Sequence, residues 1–394
     1  MEHNQILFYL FLIFTGAALV STVVLFTRQS LLVAYLLLGI LLGPWGLKLV
    51  PNADMAREVG DVGIILLLFL LGLELNPHEL LNMLRKISWI ACVSSVIFFG
   101  AGLLTALLFG FSKMESLIIG ATMMFSSTII GLKLLPAAAN LNKQQLHISE
   151  IMISVLLLQD LIAIFVMLFL HGMATPSPYW QDLGIALITV PGLLVIGFAG
   201  ERYLLRPLLS RFEQVQEYVF LAAIAWCLGM AKLASLFGLS DEIGAFIAGV
   251  AIAEGPIAHY MANALKPIRD FCLVLFFFTI GARFNLQAVP EIIFPALVLA
   301  ALMLLLKPWV YAFLLKKSGE SPAVAAEAGL RLGQGSEFSL LLGGMAYTIM
   351  PSEIGLKANY LIQAATLMTF IISCYWVVLR YPTPMAMDKK WQRD

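Results

Sequence analysis

The sequence predicts an all-α polytopic membrane protein with about 13 transmembrane helices. Three observations carry this reading. Of the 394 residues, 61% are hydrophobic and 12% charged, against roughly 25% charged in soluble domains. A water-soluble globule of this composition could not cover its own surface. The apolar residues fall in runs of about twenty, the length that crosses a ~30 Å hydrocarbon core as one helix. Helix breakers lie between the runs: Pro51, Pro77, Pro136, Pro176, Pro178, Pro290, Pro322 and Pro351.

Taken in order, spans are expected at 5–27, 31–50, 58–76, 87–110, 114–135, 147–172, 182–204, 216–237, 241–260, 268–285, 290–315, 323–348 and 358–380. The first run has no basic segment before it and no small-residue cleavage site. It reads as a retained helix rather than a signal peptide. Sixteen of the 24 basic residues fall at one set of span ends and six at the other. The richer side is read as cytoplasmic. This places the N-terminus outside and the C-terminus in the cytoplasm of an inner (plasma) membrane, and it supports an odd number of spans.

Other classes find little support. The net charge is zero, which gives no nucleic-acid signal. Cys92, Cys227, Cys272 and Cys374 are far apart in apolar runs, so neither a disulfide framework nor a thiolate metal site is indicated. The five histidines lie at span ends or in loops, and no nucleophile–base pair is visible. An enzyme is not expected, nor is an organic cofactor.

The chemistry concentrates in span six, where Gln159-Asp160 interrupts an uncharged stretch from Val155 to Leu170. A carboxylate at mid-membrane costs at least ~2.5 kcal/mol. Such a group usually faces a cavity or a partner and binds an ion or relays a proton. Span five carries Ser126-Ser127-Thr128 at its middle, and span twelve carries Gly333-Gln334-Gly335-Ser336-Glu337. Glycine and hydroxyl residues there weaken helix continuity or re-satisfy a broken backbone. Span five is second-last of spans one to six, and span twelve is second-last of spans eight to thirteen. Interrupted helices at matching places in two halves point to an inverted-repeat transporter. Span seven is the linker that makes the halves opposite in topology. Lys307 lies inside span eleven with apolar residues on both sides, too deep to snorkel easily. It is expected to face the core beside spans five, six and twelve, and to pair with Asp160 when no cation is bound.

On these residues the sequence resembles the monovalent cation–proton antiporters of the second cation–proton antiporter group, most closely the Kef-type potassium–proton exchangers. The motifs are Leu-Gly39-Ile-Leu-Leu-Gly43-Pro44-Trp45-Gly46-Leu, Leu-Leu-Gly72-Leu-Glu74-Leu, Phe125-Ser126-Ser127-Thr128, Leu-Gln159-Asp160, Gly244-Ala245-Phe246-Ile-Ala-Gly249, Phe276-Phe277-Phe278-Thr279-Ile-Gly281, Lys307 and Gly333-Gln334-Gly335-Ser336-Glu337-Phe338. The resemblance covers roughly residues 1 to 380. It implies a homodimer of two-part subunits in membrane lipid. Residues 1–86 and 216–289 would form the dimerisation scaffold, 87–172 and 290–380 the two halves of a mobile core, 173–215 a linker helix and 381–394 a cytoplasmic tail. The two broken helices would cross beside Asp160, as in the sodium/proton antiporter fold. Asp160 matches the family's ion-binding, proton-carrying aspartate, Gln159 the glutamine of Kef-type members, and Lys307 the lysine that competes with the cation. Arg331 departs from the Kef pattern, which has an apolar residue there. No GxGxxG follows a strand, so any nucleotide-binding regulator would be a separate subunit.

The function expected is exchange of a monovalent cation, potassium first, for a proton. The cation would sit at Asp160 with Gln159, Ser126, Ser127 and Thr128 as neutral oxygen donors. One carboxylate cannot hold both a proton and a metal ion, so exchange would be one-for-one and electroneutral, by elevator-type alternating access. Gln159 in place of a second carboxylate weakens the field, which suits K⁺ better than Na⁺. A sodium/proton antiporter of the same fold, a sodium-coupled solute symporter and a ligand-gated cation channel are the alternatives.

Overall fold

A computed structural model describes residues 2–50, 54–74, 77–133, 143–173, 179–212, 215–253, 256–381 and 383. These form α1 (Glu2–Phe26), α2 (Leu31–Leu42), α3 (Asp54–Glu74), α4 (Pro77–Leu108), α5 (Lys113–Met123), α6 (Thr128–Lys133), α7 (Lys143–Met173), α8 (Tyr179–Gly200), α9 (Arg206–Phe212) and α10 (Gln216–Leu236). The chain continues with α11 (Asp241–Ile252), α12 (Pro256–Arg283), α13 (Val289–Lys317), α14 (Pro322–Arg331), α15 (Glu337–Ile349) and α16 (Leu356–Val378). Among the described residues there is no strand, and seven helices are long and apolar enough to cross a membrane by length and composition.

The helices follow the expected spans with local differences. Span two stops at Leu42, because Gly43 turns extended (ψ −179°) after a last helical bond to Gly39 O, and the Leu47 amide folds back onto Leu41 O at 2.7 Å. Span seven does not end at 204. A π-helical turn at Glu201–Leu205 leads straight into α9. That extra residue per turn lets Arg206 reach Glu201, five positions back, with Nε–Oε1 at 2.7 Å and Nη2–Oε2 at 3.0 Å. The break between spans nine and ten comes at 253 rather than 261–267. Pro256 opens α12, where its missing N–H costs nothing. The helix then runs through Pro267, carried by the good helix formers Met261, Ala262, Ala264 and Leu265.

The chain forms two compact units. One holds residues 1–51, 83–163 and 280–394. In it α13 packs on α14 and α16, α15 on α5 and α16, and α2 on α1 and α16. A Cβ on Gly281 would strike the Leu36 carbonyl, and one on Gly43 would lie 2.7 Å from Ala282 Cα. The glycines in these motifs therefore let two backbones touch. The other unit holds 52–82 and 164–279. Its centre is α11, packed on α3, α8 and α10. There Gly72 and Gly249 play the same part, since a Cβ on either would meet the Phe246 or Phe69 carbonyl.

The C-terminal tail, Tyr381 and Thr383 apart, lies outside the described residues, as do most of the side chains around the α3–α4 connection.

Candidate functional site

The site lies within the first unit, where two helices stop and restart. α5 opens on a capping box: Ser112 Oγ accepts from the Glu115 amide and Glu115 Oε2 from the Ser112 amide. Glu115 Oε1 also takes the Gly355 amide, at 3.1 Å, which ties the start of α5 to the start of α16. α5 ends at Met123 and α6 begins at Thr128, with Ser127 Oγ accepting the Ile130 amide at 3.1 Å. α14 ends at Arg331 and α15 begins at Glu337, with Ser336 Oγ accepting the Phe338 amide at 3.1 Å. Serines restart both helices because their hydroxyls cap orphan amides.

Each break leaves buried backbone groups without their helical partners, so they must be satisfied elsewhere. They find one another. Ser126 Oγ donates to Leu332 O at 2.8 Å, Gln334 Nε2 to Ser127 O at 3.3 Å and Ser339 Oγ to Thr122 O at 2.5 Å. The Gly335 amide donates to Thr369 Oγ1 of α16 at 2.9 Å, and a Cβ on Gly335 would stand 2.8 Å from that oxygen. Gly333 lies against Pro308 of α13, where a Cβ would come within 2.8 Å of Pro308 Cγ. The two interrupted helices cross, as the resemblance implies.

Lys307 is wholly buried at this crossing. Its Nζ donates to Phe125 O at 2.5 Å and to Gln334 O at 3.1 Å, one carbonyl from each break, and lies 5.4 Å from the Phe98 ring centroid. The sequence reading expects this ammonium to pair with the Asp160 charge when no cation is bound. The hydrogen bonds of the ammonium go to the carbonyls that the broken helices leave bare.

Asp160 is 1% exposed. Thr128 Oγ1 donates to its Oδ2 at 3.0 Å. Gln159 is also buried, but its amide is spent on the protein. Nε2 donates to Met124 O at 3.1 Å and to the Tyr311 hydroxyl at 2.6 Å, and Oε1 accepts the Ser126 amide at 3.1 Å. It thus replaces missing helical partners on both sides of the first break. Of the expected neutral donors, Thr128 touches Asp160, whereas Gln159, Ser126 and Ser127 bond to the crossover itself.

Glu337 is 4% exposed. The Ser127 hydroxyl and the Thr128 and Ile129 amides face its carboxyl group, with Ile129 N 3.4 Å from Oε1. Oε2 has no hydrogen-bond partner among the described residues.

Several contributors are not evident from the sequence. Tyr311 bonds Gln159 and lies 3.3 Å from Ser126 Oγ. Its place four residues after Lys307, on one face of α13, was the available signal. Thr366, Thr369 and Ser373 form a polar stripe at helical spacing on α16, and Ser373 Oγ donates to Gln334 Oε1 at 3.4 Å. Arg331, fully buried, makes two bonds to Glu327 Oε1 at 3.0 and 2.7 Å. That i,i+4 pair explains how a charge is tolerated where an apolar residue was expected.

Chemically, the site offers a buried carboxylate and a hydroxyl beside unwound backbone. Oxygen donors of this kind suit a hard monovalent cation, and the carboxylate also accepts a proton. Two solved structures share this architecture. The sodium proton antiporter MjNhaP1 of Methanocaldococcus jannaschii, determined at pH 8, superposes with a TM-score of 0.65 at 20% identity, covering 96% of this chain and 99% of that one. An electron-microscopy structure of the same antiporter gives 0.65 at 16% identity, covering 95% and 96%. The family model described as "Sodium/hydrogen exchanger, transmembrane" matches residues 11–379. The chain therefore belongs to the sodium/hydrogen exchanger family of membrane cation:proton antiporters.

Proposed function

We propose that this protein exchanges one monovalent cation for one proton at Asp160. The observation that carries it is the buried Asp160 carboxylate, bonded to the Thr128 hydroxyl at the point where the helix pair is broken. A dehydrated cation takes Asp160 as its charged ligand, with the Thr128 hydroxyl beside it. A proton takes the same oxygens when the cation leaves. Each load carries one charge, so the loaded site has the same net charge either way. Exchange is then electroneutral and indifferent to a potential worth about 2.3 kcal/mol per charge per 100 mV.

Sodium is the first cation of this reading. The Gln159 amide is engaged by Met124, Ser126 and Tyr311, so its part in the potassium reading is only the weaker field of a neutral residue beside Asp160. The sodium-transporting neighbours favour sodium. Potassium is the second reading, supported by the Kef-like Gln159-Asp160 pair. The core halves at 87–172 and 290–380 carry the site by elevator-type alternating access. Homodimerisation through 1–86 and 216–289 and an N-out, C-in orientation complete the proposal.

The experiment is cation-dependent proton flux in proteoliposomes, with Na⁺, K⁺, Li⁺ and choline compared at fixed pH. Flux with no dependence on any alkali cation removes the proposal. A rate that changes steeply with membrane potential removes electroneutrality.

A further inference from the structure

Buried acids are rare at membrane depth and usually functional. The crossover holds a second one, on the opposite repeat, that the exchange reaction above leaves without a task. Thr128 connects the two. Its hydroxyl donates to Asp160 Oδ2, and its backbone amide faces the Glu337 carboxyl group. Through Thr128 Oγ1 and the neighbouring Ile129 amide, at 3.0 and 3.4 Å from their acceptors, the carboxylates cannot be separated by more than about 11 Å of bonded geometry.

Glu337 Oε1 is engaged, whereas Oε2 is buried with no hydrogen-bond partner among the described residues. A buried carboxylate oxygen left without a partner is costly. A transported alkali ion is a ligand that would satisfy it.

We propose that Glu337 is the second carboxylate of the cation site, with Oε2 turned toward the transported alkali ion. This rests on the exchanger reading and deepens it. The second acid comes from α15 of the opposite repeat rather than from the position next to Asp160, where Gln159 stands. The charge count remains compatible with one-for-one exchange. With all three groups ionised, Asp160, Glu337 and the Lys307 ammonium sum to one negative charge, which one cation or one proton neutralises. At the separations allowed here, a fixed negative charge changes monovalent cation affinity on the order of tenfold.

Glu337→Gln tests this, because glutamine keeps the shape and an oxygen for the Ile129 amide while removing the charge. Two readouts are needed. One is cation-dependent thermal stabilisation of the purified protein, titrated with NaCl or KCl against choline chloride. The other is the KM and maximal rate of exchange in proteoliposomes. The expected result is a midpoint and a KM for the alkali ion that both rise roughly tenfold, more than the maximal rate falls. Glu337→Asp, which keeps the charge but withdraws it by one methylene, should lie between. Midpoint and KM equal to wild type in Glu337→Gln overturn the proposal. If that variant does not fold, wild-type values in Glu337→Asp do so. Absence of alkali-dependent flux in the wild type would defeat the exchanger reading instead, a distinct outcome.

Discussion

Thr128 Oγ1 donates to Asp160 Oδ2 at 3.0 Å, the bond that joins the first broken helix to the carboxylate of α7. Asp160→Asn retains an oxygen for that bond but cannot cycle a proton. It is expected to abolish cation-dependent proton flux in everted vesicles while melting within a few degrees of wild type. Thr128→Val removes the donor. Bonds to charged groups are worth about 1.5–3 kcal/mol, so KM for the cation should rise roughly tenfold or more, and Thr128→Ser should recover most of it.

Gln159 tests whether the residue beside Asp160 selects the ion or holds the fold. An aspartate there is too short and lacks the donors that reach Met124 O and Tyr311 Oη. Gln159→Asp should therefore lower stability by about 2–6 kcal/mol, from two buried groups left unpaired at roughly 1–3 kcal/mol each. A lowered melting temperature is the expected readout. A stable variant with a clean shift toward Na⁺ or Li⁺ would return Gln159 to the role of ion selector.

Lys307 joins both breaks through Phe125 O and Gln334 O. Lys307→Ala should destabilise the purified protein by roughly 3 kcal/mol or more, since two buried carbonyls lose a charged donor. If competition with the cation dominated instead, the variant would bind the alkali ion more tightly with little loss in thermal stability. Melting curves run with and without NaCl separate the two.

Arg331 and Glu327 form a buried pair within α14. Removing one member of such a pair typically costs about 3–5 kcal/mol, whereas apolar replacement of both can be near neutral. Glu327→Leu alone should therefore be more destabilising than Glu327→Leu combined with Arg331→Met, measured by thermal melts.

The close crossing of α13 and α14 can be probed at Gly329, where a Cβ would lie 2.6 Å from Pro308 O and 3.1 Å from Ala312 N. Overpacking of this kind costs typically 1–3 kcal/mol. Gly329→Ala should reduce both the melting temperature and exchange. Gly344→Ala is the control: among the described residues nothing lies within 4 Å of a Cβ placed there, so the change should be neutral or stabilising by up to about 1 kcal/mol.

The sequence by itself determined the membrane class, the helical fold and the place of both breaks. Hydrocarbon permits few solutions for a chain this apolar, and serines and glycines in mid-span mark where a helix stops. Asp160 was legible for the same reason, as an acid with no local partner in an uncharged run. What each polar side chain touches was decided only by the tertiary structure. Gln159 reads from sequence as a neutral cation ligand, yet three groups of the break and α13 claim it. Lys307 reads as a counter-charge for Asp160, yet it donates to carbonyls from helices far apart in the chain. Glu337 and Thr128 are separated by some two hundred residues, and only the crossing brings them together. Periodicity records which residues leave a helix without a bonded partner. It carries no record of the long-range geometry that supplies one.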